Sequence, residues 1–190
     1  MLTKSFLLLT FLAAAVRAVI VPKDLSDGVW DLWEDEDGST VAQRDTSFSA
    51  KFAFEKARNA AAARRATAAS PTGSEADLFK RQYPNCETGC TGGDTYDHDD
   101  YITAVTLMQG YCDGGAKVGT RNSKVFSAGS AMVYICNSSG IGGQGCSRTE
   151  WDHFNELMDI NCGLWKGSYT WINDWAKTYG RDVAGARICN

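Results

Sequence analysis

Residues 123–140 read SKVFSAGSAMVYICNSSG, and the architecture turns on the middle of this stretch. In AMVYIC, Ala131, Val133 and Ile135 alternate with Met132, Tyr134 and Cys136. Side chains of a strand alternate between its two faces. Both sets here are largely apolar, so the run reads as a strand covered on both sides. NSSGIGGQG (137–145) then reads as a flexible turn. Asn137-Ser138-Ser139 within it is an N-glycosylation acceptor, and its place at the mouth of a Gly-rich loop predicts exposure of Asn137.

Helical patterns flank this strand. Downstream, SRTEWDHFNELMDINCG (147–163) opens with Ser147 and Glu150 in capping-box spacing. Trp151, Phe154, Met158 and Cys162 line one face, Leu157 lies beside it, and Gly163 is a stop. Upstream, DHDDYITAVTLMQGYC (97–112) places Tyr101, Val105, Met108 and Cys112 on one helical face. Asp97 is a candidate cap, and Asp99 and Asp100 suit the positive end of the helix dipole. GSYTWINDWAKTYG (167–180) reads two ways: SYTWI suits a strand, while Ile172, Trp175 and Tyr179 suit a helix ended by Gly180. Two to three helices packed on a small antiparallel sheet make a single α+β domain.

Seven cysteines (Cys86, Cys90, Cys112, Cys136, Cys146, Cys162 and Cys189) crowd into the last part of the chain, and none precedes them. In an oxidising compartment this reads as a disulfide scaffold with six paired and one left over, and the pairing stays open. Three bridges at roughly 2–4 kcal/mol each would equal the net stability of a typical small domain. Zinc at Cys86-x-x-x-Cys90 lacks a second pair at ligand spacing, so no metal or other cofactor is expected.

The framework begins just after LFKRQYPNCETGC (78–90), whose Lys80-Arg81 is the kind of dibasic pair that a kexin-type protease cuts. Arg64-Arg65 is a second candidate. At the N-terminus, Lys4, the apolar run FLLLTFLAAAV (6–16) and Val16-Arg17-Ala18 have the order of a secretory signal cleaved after Ala18. Residues 19–81 hold an acidic piece, DGVWDLWEDEDG, and an Ala/Arg tract, with little sustained apolar patterning. They read as a disordered pro-segment that buries too little surface to offset its ordering entropy. The expected organisation is a signal peptide over 1–18, a pro-segment over 19–81 and a mature domain over 82–190, secreted and with no transmembrane anchor. That mature part carries eight basic and twelve acidic residues, a net −4, so nucleic acid is not its default partner.

Over 82–190 the order of elements resembles the fungal necrosis-inducing extracellular effectors and the killer-toxin-like α+β proteins. The resemblance rests on a helix bearing Cys112, the strand VYIC, a helix ending Cys162-Gly163, then Tyr179-Gly180-Arg181 and the late Cys189. It implies an extracellular protein acting on a host or a competitor, usually without catalysis. The odd cysteine departs from the even frameworks usual there.

Three other chemistries are open to these residues. His98 and His153, with Glu150 or Glu156 and Arg148, would suit acid–base cleavage of RNA, although the acidic balance repels a polyanion. Asp94, Asp97, Asp99 and Asp100 gather hard oxygen ligands, but their spacing does not match a calcium loop and helix-start charge explains them better. Trp165, Trp171 and Trp175 are either core or a platform for a cell-wall glycan or a protein partner. No G-x-S-x-G elbow is present.

Overall fold

The computed structural model describes residues 18–48, 85–92 and 95–189. Residues 1–17 of the expected signal peptide, both dibasic pairs and Asp94 lie outside these described residues. In chain order the elements are β1 (Val19–Ile20), β2 (Gly28–Glu34), β3 (Thr40–Arg44), β4 (Cys86–Cys90) and α1 (His98–Asp113), followed by β5 (Lys117–Val118) and β6 (Asn122–Ala128). Then come β7 (Ala131–Asn137), β8 (Gln144–Gly145), α2 (Arg148–Cys162), β9 (Ser168–Ile172), a 3-10 turn (Asn173–Trp175), β10 (Lys177–Asp182) and β11 (Arg187–Ile188). Seven strands form one antiparallel sheet in the order β3-β2-β6-β7-β10-β9-β4. The protein is therefore α+β with two helices among its described residues, on a sheet wider than expected.

Both helices lie on one face, α1 over β6 and β7 and α2 over β4, β9 and β10. Tyr101, Val105 and Met108 of α1 and Trp151, Phe154 and Met158 of α2 bury there against Val133, Ile135 and Tyr179. Asp97 caps α1, its Oδ1 accepting from the N–H groups of Asp99 (2.8 Å) and Asp100 (3.2 Å). Asp100 in turn accepts from the backbone and hydroxyl of Ser130 in the β6–β7 turn, tying the helix start to the hairpin. Ser147 caps α2 through Glu150 N at 3.1 Å. Glu150 directs its own carboxylate elsewhere, so only half of the capping box forms.

The opposite face is covered as well. Val125, Met132, Tyr134 and Cys136 pack there against Val19, Val21, Leu32 and Ile188. β1 pairs with β11 across this layer, and Val21 N donates to Ala186 O at 3.0 Å. AMVYIC is thus buried on both sides, as its pattern predicts.

Two expectations are corrected here. Residues 19–81 were expected to be disordered, yet the first part of that stretch supplies β1, β2 and β3. β2 pairs with β6 over Gly28–Leu32, and Val21, Val29 and Leu32 have no exposed surface. The pattern escaped notice because Asp31 and Gln43, paired across β2 and β3 on the helix side, interrupt the apolar alternation of these strands. The second concerns 167–180, where the strand reading of SYTWI agrees with β9 but the helical alternative over Ile172, Trp175 and Tyr179 gives way to a 3-10 turn and β10. Gly180 does not end a helix. It lies opposite Tyr134 in the ladder, and a Cβ there would stand 2.1 Å from the Tyr134 ring.

Residues 82–190 produced without 18–48 should therefore lose the layer over Val125, Met132 and Tyr134. The expected result is dye binding to exposed apolar surface and no cooperative thermal transition, where the longer chain melts sharply. Equal, cooperative melting of both chains would contradict this account of the sheet.

Candidate functional site

Chemically versatile side chains concentrate in two places. The first is β10, Lys-Thr-Tyr-Gly-Arg-Asp, whose six residues are all buried. Lys177, Tyr179 and Arg181 alternate along it and point at α2. Lys177 Nζ donates to Glu150 Oε2 at 2.7 Å and to Gly145 O at 2.9 Å, and the Tyr179 hydroxyl donates to the same Glu150 oxygen at 2.6 Å. Burial pushes the Lys177 pKa down, against the pull of Glu150. Arg181, fully buried, donates to Asn155 (2.8 Å), to Asp159 (2.5 Å), to Ser168 (2.9 Å) and to the carbonyls of Lys166 and Gly163. A buried cation is tolerated only when paired and hydrogen-bonded. Both cations of β10 meet that condition by tying α2 to the sheet.

The proposed acid–base set is not assembled. His98 lies against the Trp165 ring, with ring centroids 4.9 Å apart, beyond the C-terminal end of α2. His153 is in the second turn of α2, 8 % exposed, and burial pushes its pKa down against the charge of Glu156. The nine residue steps of α2 from His153 to Cys162 alone span about 13 Å. Arg148 pairs with Asp113 at 2.7 Å on the surface, and Glu150 is held by Lys177 and Tyr179. Asp97 and Asp100 act as cap and hairpin tie, and no group of metal-ligand type is clustered among the described residues.

Nor do the tryptophans form one platform. Trp165 is 42 % exposed in left-handed backbone (φ +57°) past α2. Trp171, alternating with buried Thr170 and Ile172, is on the sheet face away from the helices, and its indole donates to Asn173 Oδ1. Trp175 packs against the helix-side core, with Lys177 Nζ 4.9 Å from its ring centre.

Asn137 corrects another expectation. It is 1 % exposed, and its Nδ2 stands 2.9–3.1 Å from the carbonyls of Val118, Gly119 and Gly142. Its Oδ1 accepts from Ser139 N. The nitrogen that would carry a glycan instead closes two loops.

The cysteines pair as Cys90–Cys162, Cys112–Cys146 and Cys136–Cys189, leaving Cys86 as the free thiol. The first bridge fastens the end of α2 to β4, the second joins the end of α1 to the segment just before α2, and the third fastens the C-terminal segment to β7. Burial pushes the Cys86 thiol pKa up, which disfavours its reactive thiolate.

The second concentration is an open cleft of about 630 Å³ where the helix-side face of β2, β3 and β6 emerges beyond α1. Lys124 forms its floor, 4 % exposed, with Nζ 2.7 Å from Asp31 Oδ1 and 2.8 Å from Asp45 Oδ2. The same ammonium lies 5.1 Å from the centre of the Tyr111 ring. Burial pushes the Asp45 carboxyl up, but the hydrogen bonds from Lys124, Ser47 and Phe48 N and the charge of Lys124 outweigh it and bring its pKa to about 2. Burial, then the charges of Asp31 and Asp45, push the Tyr111 phenol up to about 12, so it stays a neutral donor. Trp33 and Asn122 complete the walls. This cleft was missed in the sequence because half of it belongs to residues read as a pro-segment. A second cleft, of about 550 Å³, opens near Lys23, Tyr169 and Arg187, but its buried carboxylate, Asp182, is engaged by Thr91 and Val183 N.

No helix among the described residues is long and apolar enough to cross a membrane. No protein-family model, curated protein or solved structure matches the chain.

Two measurements check these geometries. Because the folded pKa of Asp45 lies below its ordinary value of 3.8, its stabilising contribution is complete above about pH 4 and is lost as pH falls through about 2. Urea midpoints should drop across that window, and drop less in Asp45→Asn. At Asn137, glycosidase treatment of the protein produced in a eukaryotic secretory host should leave its mass unchanged, while Asn137→Ala should lower stability by about 2–3 kcal/mol through orphaned buried carbonyls.

Proposed function

We propose that this chain is a secreted, disulfide-stabilised protein of effector or toxin type, cut at Lys80-Arg81, that acts by binding a host or competitor target. The supporting observation is the placement of the three bridges, which fix α2 and the C-terminal segment to one sheet and join α1 to the segment that leads into α2. Such cross-linking suits a small protein that must persist in an oxidising medium. The dispersal of His98, His153, Glu150 and Arg148 gives the ribonuclease alternative no geometric support. A protein surface or a cell-wall glycan fits an acidic exported protein better than a nucleic acid does.

Secreted protein, collected intact, applied to host tissue and to competing microbes should produce a dose-dependent response. Reduction and alkylation should abolish that response, and the same material should leave RNA uncut. Activity that survives loss of the bridges, or RNA cleavage that disappears in His98→Ala, would overturn the reading.

A further inference from the structure

We propose that the cleft floored by Lys124 is a binding site for a neutral oligosaccharide. This rests on the reading that the protein acts by binding, and supplies a ligand class and a location.

The charge balance of the cleft selects the class. Asp31 and Asp45 offset Lys124 and Lys117 within the lining, so neither a polyanion nor a polycation gains from entering. What remains is a set of uncharged hydrogen-bonding groups. The Tyr111 hydroxyl lines the cleft at the tip of an otherwise buried side chain and has no hydrogen-bond partner among the described residues. A hydroxyl that opens onto a cleft and is not engaged by the protein is free to exchange water for a ligand. The Trp33 indole N–H and Asn122 Nδ2 are likewise without partners among the described residues, and so is the second oxygen of Asp31. Three donors and one carboxylate oxygen around an aromatic wall match the alternating hydroxyls and apolar ring faces of a pyranose.

The site is also held rigidly. Asp31 and Asp45 cannot turn away without leaving Lys124 buried and unpaired, a costly state. Asp45 is further fixed at its other oxygen by Ser47 N (3.0 Å), the Ser47 hydroxyl (2.6 Å) and Phe48 N (3.2 Å). Tyr111 is wedged edge-on between Phe48 and Phe126. Donors fixed before the ligand arrives lower the entropic cost of binding. The volume of about 630 Å³ is within the roughly 300–1,000 Å³ usual for such sites.

The test titrates the secreted protein, at a concentration where residues 18–48 stay associated with 82–190, with neutral hexasaccharides of β-1,3-glucan, β-1,4-linked N-acetylglucosamine and mannan, with a sulfated glycan as an anionic control. Calorimetry and tryptophan fluorescence provide the readouts. At least one neutral member should bind saturably, and the sulfated control should not. Trp33→Ala should weaken binding about tenfold or more. Tyr111→Phe, which keeps the ring and hence the fold, should weaken it about two- to tenfold, the range for one neutral hydrogen bond. Trp171→Ala, on the far face, should have no effect. Binding of no neutral member, tighter binding of the sulfated control, or full affinity in Tyr111→Phe would overturn the assignment. If no glycan binds while the response of tissue or competitors persists, this site assignment fails and the wider binding reading stands.

Discussion

A strand buried on both faces cannot exist without two covers, and the molecule is built around that requirement at β7. Each of its seven residues is buried. One cover is the pair of helices, and the other is the layer in which β1 and β11 meet. The two covers are secured differently. Buried cations of β10 and two disulfides hold the helices, so α2 is tied to the sheet through Lys177, Arg181 and Cys90. The far layer is held by Cys136–Cys189 on its C-terminal half and by strand pairing and apolar burial on its N-terminal half.

The elements legible from sequence were those whose apolar residues fall at one period. AMVYIC and both helices belong to this group: the periodic Tyr101, Val105, Met108, Trp151, Phe154 and Met158 are all buried, although α1 also buries Leu107 and Tyr111, α2 also buries His153, and Cys162 is only half-buried. β10 was illegible for the opposite reason. Lys177, Arg181 and Asp182 occupy a fully buried strand, and no hydropathy pattern allows for that. The burial of the two cations becomes intelligible only once Glu150 and Asp159 are seen to arrive from α2, and that of Asp182 once Thr91 donates to it, contacts made by tertiary folding alone. The same holds for Gly180, whose lack of a side chain answers to Tyr134 on the neighbouring strand.

The candidate site was less legible than the fold. Local neighbourhood in sequence placed each histidine beside carboxylates, yet antiparallel packing of α1 and α2 set the two rings at opposite ends of the helix pair. Asn137 carried a correct acceptor motif at a position that folding then enclosed. The Lys124 cleft draws on β2, β3, α1 and β6, segments spread across most of the chain, and its acidic residues resembled the solvated charges of an unfolded stretch. What distinguishes Asp31 and Asp45 is a single lysine far along the sequence, and a linear pattern does not show that partnership.

Every disulfide joins residues that come after position 85, whereas β1, β2 and β3 all come before position 45. Only the backbone between them makes these strands a permanent part of the protein. A single peptide-bond scission in that stretch would turn a folding contact into an association between two polypeptides, governed by a dissociation constant and hence by dilution. The lining of the Lys124 cleft would then be shared by two molecules, and its occupancy would depend on their concentration as well as on that of any ligand.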